Sequence, residues 1–306
     1  MSLPVYTHSA CLGHDTGPGH PESSQRLAAV IQALHEQLPG LDWREAPRAT
    51  RGQLLRVHDE HLLEAVLEHA PAARTQLDPD TVLSPSSGEA ALRAAGAGVA
   101  AVDAVMHGDA ERAFCAVRPP GHHATGGQAM GFCLFNNVAV AAAHALDKHG
   151  LSRVAVVDFD VHHGNGTQAI FEAEPQVLYL SSHQQGLFPH SGARRERGLG
   201  NIMNLPLPPG TGSRMFQEAW VERLLPELEA FRPQLLLISA GFDAHWRDPL
   251  AQMQLDAADF AWLTGELCAI AGQHAAGRTV SLLEGGYDLQ ALRECSVAHV
   301  RALLPA

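Results

Sequence analysis

The chain has 306 residues, an apolar fraction of 46% and a formal net charge of −12, with a single lysine, Lys148, among 21 basic residues. The apolar content supports a packed core and excludes a disordered chain, and the acidic balance excludes nucleic-acid binding as the main role while favouring cationic partners. Five scattered cysteines (Cys11, Cys115, Cys133, Cys268, Cys295) contain no Cys-x-x-Cys pair, and neither a basic-then-apolar leader nor an apolar run near the ~20 residues of a membrane span is visible, so a cytoplasmic protein is expected.

In chain order, the first short apolar run is Phe114–Val117, followed by an Ala-rich stretch from Val138 to His149. Further runs are Val154–Val157 and Val177–Leu180. A helical stretch spans Met215–Phe231, a fourth run is Leu235–Ile238, a second long helical stretch is Asp256–Ala276, and a last run is Thr279–Leu283. Continuous apolar strands suit a sheet buried on both faces, and their alternation with helices predicts an α/β fold with a mostly parallel central sheet flanked by helices. With no linker or internal repeat, residues 1–306 read as one catalytic domain. Gly96-Ala-Gly98 nominally fits a dinucleotide fingerprint but lies in an Ala-rich helical stretch with no strand before it, so it predicts close helix packing.

Polar clusters follow these runs: Arg118-Pro-Pro-Gly-His-His123, Asp158-Phe-Asp-Val-His-His163, Ser239-Ala-Gly-Phe-Asp243 and Glu284-Gly-Gly-Tyr287. Ligands of open α/β sheets bind outside the carboxyl ends of the strands, so the four clusters are expected to converge on one site. Asp160 and His162, two residues apart at a strand end, place a carboxylate and an imidazole on one face, with Asp243 as a third ligand. Asp-x-His alone is better explained as a cap of the following helix; three such ligands together leave a fourth position for water, as a catalytic zinc site requires. Fe²⁺, Co²⁺ or Mn²⁺ also suits this donor set.

His122 and His123, on a stiff Pro-Pro-Gly turn, can move protons near neutral pH. Asp158 is placed to orient one imidazole and Asn165 the other. Tyr287, after two glycines, can project a hydroxyl donor toward a developing oxyanion. Seen singly, the histidine pair reads equally well as surface loop and the tyrosine as core.

Assembled, the chain resembles the histone deacetylase family, its class II-like bacterial members in particular. The matching segments are Gly19-His-Pro-Glu22 with Arg26, Arg118-Pro-Pro-Gly-His-His-Ala124, Gly131-Phe-Cys-Leu-Phe-Asn-Asn137, Val157-Asp-Phe-Asp-Val-His-His-Gly-Asn-Gly166, Ser239-Ala-Gly-Phe-Asp243 and Leu283-Glu-Gly-Gly-Tyr-Asp288, in family order. The resemblance implies the arginase–deacetylase fold and a zinc-dependent deacetylase. By it, Asp160, His162 and Asp243 match the zinc ligands, His123 the general base and acid, and His122, held by Asp158, its electrostatic partner. Tyr287 matches the residue that polarises the substrate carbonyl. Phe132 and Phe188 match the walls of a tunnel for the lysine methylenes, with Gly131 nearby. K⁺ or Na⁺ is implied at Asp158, Asp160, His162, Ser181 and Ser182, and again at main-chain groups of Phe171, Glu174, Val177 and Asn201.

Some positions depart from the pattern. Asn165 stands where class I members carry an aspartate, which implies a less basic His123. The segment Gly186-Leu-Phe-Pro-His-Ser-Gly192 is unlike the commoner tunnel rim. Leu250 occupies the place where polyamine-preferring relatives carry a glutamate, which favours an acylated lysine peptide or protein over an acylated small amine. The arginase branch would need a second metal, and Gly164 stands where its extra aspartate belongs. A catalytically inactive acyl-lysine binder would be expected to have lost a ligand, a histidine or the tyrosine, all present here. An oligomer is compatible with the sequence.

Overall fold

The computed structural model describes residues 3–68 and 71–305; the start of the N-terminal stretch read above, Met1 and Ser2, lies outside them. Its strands are β1 (Pro4–Thr7), β2 (Asp42–Glu45), β3 (Thr75–Gln76), β4 (Val82–Leu83), β5 (Arg112–Cys115), β6 (Val154–Asp158), β7 (Val177–Gln184), β8 (Ile202–Leu207), β9 (Leu235–Ala240) and β10 (Thr279–Leu283). Eight of them form one sheet in the order β2-β1-β5-β10-β9-β6-β7-β8, paired in parallel throughout, while β3 and β4 make a small antiparallel hairpin. The central strands β6 and β9 are buried along their whole length, as continuous apolar runs covered on both faces require.

The five apolar runs became β5, β6, β7, β9 and β10, while β1, β2 and β8 had not been read as strands. Each has a local reason. Strand β2 is the polar edge segment Asp-Trp-Arg-Glu, β1 starts on a proline, and β8 contains Pro206, which is tolerated because β8 is the other edge.

Two groups of helices flank the sheet. Ser87–His107 packs with Asn137–His149, and Leu289–Leu303 packs with both Ala257–His274 and Ser24–Gln37. Gly96 and Gly98 lie inside the first of these helices. A Cβ on Gly96 would fall 2.0 Å from the Pro47 carbonyl oxygen, and one on Gly98 3.0 Å from the Leu282 side chain, so this Gly-Ala-Gly serves helix packing, as expected. The stretch read as a helix over Met215–Phe231 is interrupted by a π-helical turn at Trp220–Leu224. Pro226 follows after one intervening residue; it lacks an N–H, and the wider turn accommodates its ring. No described helix is long and apolar enough to cross a membrane.

Candidate active site

Strands β5, β10, β9 and β6 are neighbours in the sheet centre, and the four polar clusters leave or end these four strands at their carboxyl ends. The chain exits β6 at Asp158, so Asp160 and His162 sit in the bend after the strand rather than on it. Their proximity therefore comes from the turn: the His162 N–H donates to Asp160 Oδ1 at 2.9 Å. His162 Nδ1 lies 3.2 Å from Asp160 Oδ1 and 3.0 Å from Asp243 Oδ2. Ligands about 2.0–2.1 Å from one tetrahedral ion stand roughly 3.3 Å apart, so these three atoms fit a shared divalent cation. Main-chain donors hold the other carboxylate oxygens: Gly285 N–H reaches Asp160 Oδ2 at 2.8 Å and Val161 N–H reaches Asp243 Oδ1 at 2.8 Å.

Asp160 and Asp243 are completely buried beside each other. Burial favours the neutral acid at Asp160, but His122 and His162 outweigh it and hold its carboxyl well below the usual range. At Asp243 burial and the Asp160 charge together push the carboxyl up. A cation relieves this like-charge pair directly. Gly285 is part of the fit, because a Cβ there would meet Asp243 Oδ2 at 2.2 Å and Asp160 Oδ2 at 2.5 Å. Gly285→Ala is therefore expected to weaken metal affinity at least tenfold, on the order of other disruptions around a metal shell; metal titration of the stripped variant measures it, and wild-type affinity would sink the claim.

The histidine pair packs against this cluster with ring centroids 4.0 Å apart. His122 Nδ1 donates to Asp158 Oδ2 at 2.9 Å, and the same oxygen accepts the Tyr179 hydroxyl at 2.9 Å. Burial disfavours the His122 cation, yet Asp158 and Asp160 override it and its pKa rises well above the usual value. His123 Nδ1 lies 2.8 Å from Asn165 Oδ1, which accepts its proton. Burial, then His122, then His162 push the His123 pKa well below the usual value. A neutral His123 with Nδ1–H fixed by Asn165 presents Nε2 as an acceptor. The two imidazoles thus differ in charge by environment, His122 cationic and His123 neutral.

His123 and His162 open onto a cavity of about 230 Å³ lined also by Asp80, Gly131, Phe132, Leu187, Phe188, Leu250 and Tyr287. Phe188 stands edge-on to His123 at 5.0 Å and Phe132 edge-on to Tyr287 at 5.8 Å. Gly131 and Phe132 are both left-handed, at φ 56° and 69°. For phenylalanine this is a strained backbone, the kind that persists where surrounding contacts over-determine it. The Phe132 N–H is tied to Thr81 Oγ1 at 3.2 Å. A Cβ on Gly131 would lie 2.5 Å from the His123 ring.

At the first monovalent-cation group, β6 and β7 place Asp158 opposite Ser181. The Ser181 hydroxyl also bonds His183 Nδ1 at 2.9 Å, and Ser182 Oγ accepts from Trp220 Nε1 at 3.2 Å. The carbonyls of Asp160 and His162 receive no main-chain hydrogen bond among the described residues, which leaves them free to ligate. The second group is arranged differently from the expectation. The Asn201 carbonyl accepts the Tyr179 N–H at 2.9 Å, and it is the side-chain Nδ2 of Asn201 that sits within hydrogen-bond distance of the Phe171, Glu174 and Val177 carbonyls.

Several contributing residues had not been singled out. Glu284 is buried and receives the Gly121 N–H at 2.6 Å, the His122 N–H at 3.2 Å and the Ser239 hydroxyl at 3.0 Å. It thereby fixes the turn that carries the histidine pair, and burial raises its carboxyl to about 7. Asp248 accepts the N–H groups of Tyr287 at 2.7 Å and Leu250 at 3.0 Å, coupling the tyrosine to the cavity wall. Both acids lie inside or beside quoted motifs, so their position was the available signal. Asp80, in the β3–β4 hairpin, carried none.

Fold and site together define a hydrolase of amides. A model of the histone deacetylase domain matches residues 20–303. The chain is 42% identical over 318 residues to a histone deacetylase-like amidohydrolase of Pseudomonas aeruginosa, covering 96% of this chain and 83% of that protein. It is 41% identical over 303 residues to the human polyamine deacetylase HDAC10, covering 92% of this chain and 44% of that protein. The crystal structure of the HDA15 HD domain superposes with a TM-score of 0.93 at 34% identity, over 99% of this chain and 89% of that one. The chain belongs to the histone deacetylase family.

Proposed function

We propose that the chain is a zinc-dependent deacetylase that hydrolyses the amide of acylated lysine side chains, with residues 1–306 acting as one catalytic unit in the cytoplasm. The observation that carries this reading is the meeting of Asp160, His162 and Asp243 with the histidine pair, where His162 and His123 open onto a cavity walled by Phe132 and Phe188. Asp160, His162 and Asp243 would hold the zinc, which when bound activates water and polarises a carbonyl oxygen. His123, neutral and aimed by Asn165, takes the proton from the attacking water and returns it to the departing amine. His122, kept cationic by Asp158, supplies positive charge beside the forming oxyanion. Tyr287 donates its hydroxyl to that oxyanion. Phe132 and Phe188 pack against the methylenes and exclude water. Ser181 and Ser182, with Asp158, Asp160 and His162, would hold one structural K⁺ or Na⁺.

Leu250 gives the cavity an apolar wall, which suits the methylenes of a lysine more than a second ammonium. An acetylpolyamine is the second reading. It is favoured by Asp80, the one carboxylate among the described residues lining the cavity outside the ligand set, and by the kinship with HDAC10. Purified protein is expected to lose deacylation with a chelator, regain it with zinc, and cleave an acetyl-lysine peptide faster than an N-acetylpolyamine. A preference for the polyamine would overturn the substrate assignment. Activity untouched by metal removal would overturn the mechanism.

A further inference from the structure

We propose that the Asn201 carboxamide takes the place of a monovalent cation in the turn between Phe171 and Val177, so that this half of the ion framework is built from protein and needs no K⁺. Asn201 is buried, and its Nδ2 lies 2.8 Å from the Phe171 carbonyl oxygen, 3.0 Å from that of Glu174 and 2.9 Å from that of Val177. Three main-chain oxygens converging at such distances are the surroundings a K⁺ or Na⁺ ion would have, yet a nitrogen is at their centre. Its orientation is settled by the other end of the amide: Oδ1 accepts the Leu199 N–H at 3.0 Å. Turning the group over would set an oxygen against three carbonyls and an N–H against an N–H. The carbonyl of Asn201 is engaged by the Tyr179 N–H at 2.9 Å.

An amide and an ion are not equivalent here. The carboxamide brings partial positive charge without the cost of stripping water from a free ion, and being covalent it is present at every salt composition. The segment it holds matters for the site. Phe171 ends the short helix Asn165–Phe171, whose first residue is the partner of His123 Nδ1. Clamping Phe171, Glu174 and Val177 therefore steadies the far end of the element that aims His123, independently of K⁺ or Na⁺ concentration.

The test replaces K⁺ by Rb⁺ and locates it by anomalous scattering in crystals of the wild type and of Asn201→Ala. The wild type is expected to show no Rb⁺ among the carbonyls of Phe171, Glu174 and Val177, whatever binds near Asp158. Asn201→Ala is expected to acquire Rb⁺ there. A Rb⁺ peak at these three oxygens in the wild type overturns the proposal. In solution, the thermal midpoint of Asn201→Ala is expected to rise in KCl, relative to tetramethylammonium chloride of equal ionic strength, by roughly 3 °C or more beyond the wild-type rise. Equal rises would overturn the replacement. Should Asn201→Ala fail to fold, the wild-type crystal still decides.

Discussion

Tyr287→Phe is expected to lower deacylation turnover by roughly 10²–10³, the effect of removing one donor to an oxyanion, while metal content stays at the wild-type level. The substitution keeps the ring that meets Phe132 at 5.8 Å and the main-chain N–H that binds Asp248, so the backbone and the cavity wall should survive. Only the hydroxyl is lost. Burial raises the Tyr287 pKa well above the usual value, against the pull of Arg26, whose guanidinium carbon lies 4.9 Å from the ring centre. The phenol therefore stays protonated across the working pH range and remains a donor. Steady-state kinetics should show the fall in kcat with little change in KM. An unchanged kcat would remove Tyr287 from the mechanism, and a matching loss of metal would recast it as structural.

The largest stability effect is expected from Glu22→Gln, about 3–5 kcal/mol, the usual range for breaking a buried ion pair by removing one partner. For a protein of this size that is a thermal midpoint lower by roughly 10 °C. Glu22 is completely buried and holds Arg118 through both oxygens at 2.6 Å and Arg26 at 3.0 Å. Both arginines are themselves buried, so the variant leaves charge without its counter-ion. Burial alone would raise the Glu22 carboxyl, but Arg118 and then Arg26 hold it at about 2 against an ordinary 4.5. A depressed folded-state pKa means stability that is present above pH 4.5 and lost as pH falls toward 2. The wild type should therefore show an acid-limb loss in this window that Glu22→Gln lacks. Coincident acid unfolding curves would sink the argument.

The architecture was legible because parallel strands are covered on both faces and so appear as unbroken apolar runs. The polar residues at their ends then stand out against those runs, which is why Asp160, His162, Asp243, the His122–His123 pair and Tyr287 could be named from spacing and resemblance. Edge strands have no such signature, since β2 and β8 face solvent or carry a proline. Asp80 was illegible for another reason: it reaches the cavity from a two-residue-strand hairpin whose position depends on tertiary packing alone. Glu284 and Asp248 act by accepting main-chain N–H groups, an office any carboxylate at the right place can fill, so no residue pattern announces it. Asn201 is expected to contribute main-chain groups to the second cation site, and the structure turns its side-chain Nδ2 to the other three carbonyls. Sequence supplies the position of such a residue but not which of its two amide faces is turned inward.

Arg26 donates to the main-chain carbonyls of Glu284 and Gly286, some 260 positions further along the chain. The guanidinium can find these acceptors only after the roughly 260 intervening residues have been made. Contacts of such separation form late, because the intervening loop must close before they repay its entropy. Strand β10 and the Glu284–Tyr287 turn thus complete the site across the longest loops of the fold, and it is this turn that brings the Gly285 N–H to Asp160 Oδ2. A chain truncated before Gly285 is therefore expected to leave Asp160 without one of the main-chain donors that orient it toward a metal.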